Sequence, residues 1–189
     1  MSGPATGRLR ALLAILPNYA AIAFSGLVAP RVRRGVDVIQ QAVVLGERGV
    51  LLAVRGDLRG FELPGGSALA GESDEAAVRR EVREETGIEV EVEGRVGDYL
   101  RSGFRPHVAR VWRCRALGGE PRPSDETLRV GWFDPAAPPE ALFPWYRAPL
   151  ADALARLPAP VERHERLGAA AVLAGLRIDL RMRLGGGRG

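Results

Sequence analysis

Glu81, Glu84 and Glu85 stand at i, i+3 and i+4, so on a helix their carboxylates share one face. Like charges placed this way repel by roughly 0.2–0.5 kcal/mol per neighbouring pair on an isolated helix. A helix that accepts this cost either exposes the face to salt and arginine or binds a cation. Arg79, Arg80 and Arg83 adjoin the face, and three glutamates alone would fit the solvated reading. Carboxylate oxygens suit hard cations, Mg²⁺ above all, an ion that keeps several waters and shares phosphate oxygens of a substrate. Pro64-Gly65-Gly66 precedes the acidic stretch, and glycine lets backbone approach a bound group closely. An acidic helix face beside a glycine turn is a place to hold metal between protein and a pyrophosphate.

The flanking residues predict the elements that would position this face. Ser73 to Thr86 reads as a helix, with Ser73 as N-cap, Asp74 and Glu75 at its positive end and Gly87 at its exit. Val38-Ile39 and Ala42 to Leu45, the turn Gly46-Glu47-Arg48-Gly49, and Val50 to Val54 read as a β-hairpin. Phe61-Glu62-Leu63 is a short strand stopped by Pro64. Ile88, Val90 and Val92 alternate with glutamates as a half-buried strand, and His107 to Leu117 and Leu128 to Phe133 are further strands. Helices are predicted around Pro149–Leu157 and over Glu162–Ala174. Leu176, Ile178, Leu180, Met182 and Leu184 alternate with Arg177, Asp179, Arg181 and Arg183, and this period of two predicts a strand.

The chain has 189 residues, 46% of them hydrophobic and 26% charged, which excludes wholesale disorder and fibrous classes. All 27 basic residues are arginine, against 23 acids. Alanine, glycine, arginine and proline fill about half the chain, so a compositional bias explains the arginines better than nucleic-acid binding does. Residues 1–35 carry a charge of +5, residues 36–134 carry −4 and residues 135–189 carry +3, an acidic middle that suits a cation site. The single cysteine, Cys114, forms no internal disulfide, fits a reducing, cytoplasmic compartment and leaves any metal to oxygen or histidine.

Ala11 to Ala29 contains 15 apolar residues in 19, but Pro17, Asn18, Ser25 and Gly26 interrupt it. It reads as a helix packed on the domain or on a second subunit, in preference to a membrane span, and makes a homodimer plausible.

Gly66 to Ile88 resembles the Nudix box of the Nudix hydrolases: Gly66, five residues, Glu72, seven residues, then Arg80-Glu81-Val82-Arg83-Glu84-Glu85-Thr86-Gly87-Ile88. All nine defined positions of this 23-residue pattern carry the expected residue type. The resemblance covers about residues 36–134. It implies an α/β/α sandwich with a mixed β-sheet at residues 36–157, to which an N-terminal helical segment (1–35) and a C-terminal helix/strand extension (158–189) are added. It also implies Mg²⁺-dependent hydrolysis of a diphosphate linkage in a small-molecule nucleotide derivative, with Mn²⁺ as a substitute. Glu81, Glu84 and Glu85 match the family's metal-binding glutamates, and the Gly65 carbonyl matches a position that often adds a ligand. Glu72 and Arg80 match a bracing pair, Gly66 belongs to the loop, and Gly87 ends the helix. A further acid outside the box often serves as ligand or base; Glu126 is the candidate, Glu120 the reserve, and Glu81 the other candidate base. Some domains of this fold bind nucleotides as sensors without cleaving them, usually with an eroded box; here it is intact.

Substrate residues are less marked. Arg55, Arg59, Arg101 and Arg105 fall at strand ends or in loops, where guanidinium forks suit phosphate oxygens. Phe104 suits stacking on a base and His107 touching phosphate or acting as an acid, but a core phenylalanine, surface arginines and a satisfied histidine are the readings that the abundance of arginine favours. The Phe143-Pro144-Trp145-Tyr146 cluster reads as a packing anchor, and His164 as solvent-facing on a charged helix.

Overall fold

A computed structural model describes residues 37–185, with Pro17 and Ala20 as isolated positions before them. The Ala11–Ala29 segment otherwise lies outside the described residues, as do the helix and subunit contact expected of it.

Apolar runs too continuous for a one-sided strand begin the fold. β1 (Val38–Gly46) and β2 (Gly49–Arg55) form the expected hairpin, with Gly46 opposite Gly49. Successive residues of the pleat point to opposite faces, and both faces are covered by helices. Ala42, Val44 and Leu51 pack with Val78 and Val82 of α1 (Asp74–Thr86). Val43, Val50, Leu52 and Val54 pack on the other side with Leu150 and Ala153 of α2 (Arg147–Ala155), and Ile178 and Met182 of α3 (Ala169–Leu184) join them. The result is a helix–sheet–helix sandwich with one core on each face of the sheet.

The sheet is mixed. Its main path runs β3 (Phe61–Glu62), β2, β1, β6 (His107–Gly119), β5 (Ile88–Gly103) and β8 (Val161–Leu167). β4 (Gly65–Ser67) also pairs with β1, and β7 (Thr127–Phe133) with β2. The β1–β6 and β5–β8 pairs are parallel. β5 continues ten residues past the predicted Ile88–Glu93 strand, bent by three register shifts against β6. Cys114 is buried in the α1-side core, where burial pushes its thiol up to about 12, so it behaves as a small inert hydrophobe.

The C-terminal elements reverse the predicted order. Residues expected to begin a helix at Glu162 form β8, and the alternating stretch expected to be a strand lies in α3. β8 is an edge strand with a mostly exposed, charged surface, so its own pattern carries no apolar alternation. It exists because β5 offers it a parallel partner from Gly97 to Gly103. In α3, the residues turned inward are Ala171, Val172, Gly175, Ile178, Asp179 and Met182, a helical stripe that the regular arginines mask. His164 is exposed, as expected, but on a strand. Among the described residues no helix is long and apolar enough to cross a membrane.

Candidate active site

Helix α1 is fixed at both ends and along one side. Ser73 Oγ accepts from the Ala76 N–H at 3.3 Å, and Gly87 closes the helix in the left-handed region at φ 75°. Ala77, Val78 and Val82 bury one face, which leaves Glu81 and Glu85 against the glycine turn and Glu84 half-exposed beside Arg80. Glu85 is 5% exposed, and its Oε2 accepts the Gly65 N–H at 2.9 Å. The Glu81 carboxylate lies so close over Gly66 that any side chain there would overlap it. Arg80 reaches Glu72 with Nε and Nη2, at 3.0 and 2.9 Å, and Ser67 O with Nη2 at 3.1 Å. Its Nη1 donates to Glu81 at 2.9 Å and to half-exposed Glu84 at 3.2 Å. Glu72 Oε2 also accepts the Leu69 N–H, so this pair ties the loop to the helix.

The electrostatics are strained around Glu85. Burial, with the charges of Glu81 and Glu126 added, pushes it up to about 7 against the opposing Gly65 hydrogen bond and the Arg55 charge. Glu126, exposed in the loop just before β7, is therefore within electrostatic reach of Glu85. Glu120 is directed at Arg48 of the hairpin turn, 3.9 Å away. Among the described residues no three acidic, histidine or cysteine side chains converge as they stand into a ready cation cage, because Arg80 engages two of the three glutamates.

A cavity of about 350 Å³ meets this cluster at Gly65, the turn residue bonded to Glu85. Gly65, Glu62, Arg55 and Gln41 line it, and so do Phe104, Trp145 and Tyr146. Arg55 makes a bidentate pair with Asp57 at 2.8 and 3.0 Å, which keeps its guanidinium charged. Arg105, with φ 56°, and His107 also reach the wall. His107 Nδ1 bonds the Arg105 carbonyl at 2.8 Å, and Nε2 lies 3.4 Å from Arg101 Nη1. Burial holds His107 below its ordinary pKa, so it is a neutral ring whose Nδ1–H donates and whose Nε2 accepts. Arg101, buried, also donates to Glu165 at 3.0 Å and to the Trp145 carbonyl. Arg59 is absent from the wall; its backbone N–H donates to Asp179 at 2.6 Å. Phe143 and Tyr146 do anchor the core, yet they border the cavity too, and Trp145 stacks on Phe143 at 4.7 Å between ring centroids.

Sequence reasoning missed Gln41, Glu62 and the α3 residues Ala171, Val172 and Gly175, which all line the cavity. The available signal was weak: Gln41 interrupts an apolar strand, and Glu62 sits between Phe61 and Leu63. Glu62 is 4% exposed, and burial pushes its carboxyl up to about 8.

The glycine turn, the braced acidic helix and the sandwich around them define a class, and similarity to known proteins gives it a family. The model of the NUDIX domain matches residues 36–154, and the chain belongs to that family. It is a hydrolase acting on phosphorus-containing acid anhydrides. Nudix hydrolases use divalent metal ions and act on small-molecule nucleotide derivatives. A MutT-like protein of Streptomyces ambofaciens is 44% identical over 113 residues, 59% of this chain and 73% of that protein. An ADP-ribose pyrophosphatase of Methanocaldococcus jannaschii is 35% identical over 77 residues, 39% of this chain and 46% of that protein. The crystal structure of an ADP-ribose pyrophosphatase from Streptococcus suis superposes with a TM-score of 0.58 at 27% identity, covering 69% of this chain and all of that one.

Proposed function

We propose that this protein hydrolyses the diphosphate linkage of a nucleoside diphosphate joined to a second moiety, NDP-X, releasing a nucleoside monophosphate and P-X. Mg²⁺ is its metal and Mn²⁺ a substitute. The observation that carries this reading is a shared cavity: Gly65, which bonds Glu85 of the acidic helix, lines the same cavity as Phe104, Trp145 and Tyr146. A phosphate-and-metal site thus adjoins room for an organic group.

The donor set fits a hard divalent ion. It is all oxygen, and Glu85 is buried among like charges that nothing in its own contacts neutralises fully. Glu81, Glu84 and Glu85, with the Gly65 carbonyl, would hold the ion, the first two giving up Arg80 to do so. When bound, it supplies charge neutralisation at the diphosphate and a lowered pKa for the attacking water. Glu126 or Glu81 takes the proton from that water as its oxygen bonds to phosphorus. The bridging P–O bond breaks, and its electron pair leaves on the departing phosphate oxygen. Arg55 and Arg105 offset phosphate charge from the cavity wall, and His107 holds the Arg105 backbone. Glu72 and Arg80 keep loop and helix in register throughout. A reducing cytoplasm suits the single, buried Cys114.

The test is Mg²⁺-dependent turnover of a panel of nucleoside-diphosphate derivatives by the wild type and by Glu84→Gln and Glu85→Gln. Turnover of one class, lost in both variants, is the expected result. Thermal stabilisation by a nucleotide without turnover would overturn the enzyme reading in favour of a sensor.

A further inference from the structure

Buried side-chain oxygens and nitrogens in a native protein almost always have hydrogen-bond partners, so those without one point to something the fold expects to receive. Among the described residues, four such atoms stand without a partner: Gln41 Oε1, Glu62 Oε1, Arg59 Nε and Trp132 Nε1. The two oxygens among them belong to residues of one cavity wall, and both residues are at least nine-tenths buried.

The backbone sets them side by side. Gln41 on β1 is the register partner of Gly65 on β4, and Glu62 on β3 comes three residues before Gly65. Glu62 Oε2 is held by the Tyr146 hydroxyl, which donates at 3.1 Å and fixes the carboxyl group. Its Oε1 has Arg55 Nε at 4.0 Å, an ion-pair distance too long for a hydrogen bond. Three neighbouring polar side chains are engaged. Arg101 bonds Glu165 and the Trp145 carbonyl, His107 bonds the Arg105 carbonyl, and Arg55 bonds Asp57. Beyond these polar groups the wall is apolar: Phe104 and Trp145, then Val172 and Gly175 of α3. The cavity therefore has flat and apolar surfaces for the body of a ligand and two partnerless oxygens: Gln41 Oε1, an acceptor, and Glu62 Oε1, on a carboxyl that burial keeps protonated.

We infer that Gln41 and Glu62 are specificity-determining residues that hydrogen-bond the nucleoside end of the substrate, Gln41 Oε1 accepting from an N–H or O–H donor and Glu62 Oε1 meeting a polar atom beside it, while Trp145 and α3 cover its apolar faces. This rests on the proposed nucleotide specificity, though not on catalysis. Donors of the required kind come from two sources, the amino or imino groups of a base and the hydroxyls of its ribose. A site built to satisfy a ligand donor rejects a ligand lacking it far more strongly than an apolar pocket rejects a missing methylene.

Binding without turnover separates this inference from the hydrolase reading. The probes are nucleoside monophosphates in pairs that differ by one donor: GMP with IMP, AMP with purine riboside monophosphate, and each ribonucleotide with its 2′-deoxy form. The readout is quenching of Trp145 fluorescence, with Trp145→Phe as the control that identifies the signal. In the wild type at least one pair is expected to differ in Kd by about tenfold or more in favour of the donor-bearing member. Gln41→Leu should bring that ratio to about one. Glu62→Gln, which presents an N–H to the cavity once its oxygen accepts from Tyr146, should keep it, and Glu62→Leu should weaken both members of the pair. A base pair that responds assigns the donors to the base; a ribose pair that responds assigns them to the sugar. Should Glu62→Leu fail to fold because Tyr146 loses its acceptor, Gln41→Leu and Glu62→Gln still give the answer. Equal Kd values across every pair in the wild type, a ratio unchanged by Gln41→Leu, or no binding of any monophosphate would overturn the inference. Binding with discrimination but no turnover of any derivative would leave it standing and remove the hydrolase reading.

Discussion

The Gly65 N–H donates to Glu85 Oε2 at 2.9 Å, joining the glycine turn to the acidic helix across 20 residues of sequence. One contact thus fixes a carboxylate that burial disfavours and a turn that lines the cavity. Gly65 has φ +153°, and a Cβ there would overlap the Gln40 carbonyl. Both the conformation and the space require glycine.

Gly65→Ala should therefore disturb turn and helix together. We expect a stability loss of about 1–3 kcal/mol, the usual scale of a strained backbone position. Turnover should fall by more than its unfolding explains. Thermal unfolding and kcat measured on the same preparation check this; an alanine variant with wild-type turnover would contradict the fit described above.

Removing the brace should act on the glutamates indirectly. Arg80→Gln loses the bidentate contact to Glu72 and the contacts to Glu81, Glu84 and Ser67 O. By analogy with supporting residues around metal sites, kcat should drop about 10–100-fold, with a weaker apparent affinity for Mg²⁺. A metal titration of activity in the variant and the wild type decides it.

Stability should decline with rising pH in metal-free protein. Glu85 and Glu62, ordinarily near 4.5, are held by burial at about 7 and about 8 in the folded state. Between those values the folded protein keeps protons that the unfolded chain has released, so each rise in pH favours unfolding. The loss should begin near pH 5 and level off above about pH 8. Unfolding temperatures from pH 5 to 9 in a chelator would show it, and Glu62→Gln should flatten the upper part of the curve. Because a bound cation needs Glu85 ionised, Mg²⁺ affinity should rise with pH up to about 7.

The attachment of α3 should depend on one acid. Asp179 is fully buried and accepts from the Arg59 N–H at 2.6 Å and from Arg183 Nε at 2.9 and 3.0 Å. Asp179→Ala leaves both donors without it and should cost about 3 kcal/mol, as breaking a buried pair does. Limited proteolysis should then cut near residue 168 first, and KM should rise before kcat falls.

Filling the cavity from α3 should act on binding alone. A Cβ at Gly175 would stand 3.1 Å from Trp145 Cη2. Gly175→Val should raise KM severalfold, shift Trp145 fluorescence and leave the metal response unchanged. If KM stays at the wild-type value, α3 is not part of the binding wall.

Much of the site was legible in sequence for a local reason. The Glu81–Glu84–Glu85 spacing, the Ser73 cap and the Gly87 exit all act within one helix, so neighbours along the chain suffice to read them. The β1–β2 hairpin was legible for the same reason. Gln41 and Glu62 were not, because whether a polar side chain on a strand is orphaned depends on what lies opposite it after folding.

The sequence by itself determined the acidic helix, its glycine turn and the family they mark, since spacing and capping are short-range physics. Only the tertiary structure decided that residues 161–184 form a strand and then a helix. β8 is drawn into the sheet by a β5 edge more than 60 residues earlier in the chain. α3 is pinned by Asp179 to a backbone N–H 120 residues away. Those long-range contacts turn a charged, ambiguous tail into the wall of the cavity, and no local pattern contains them.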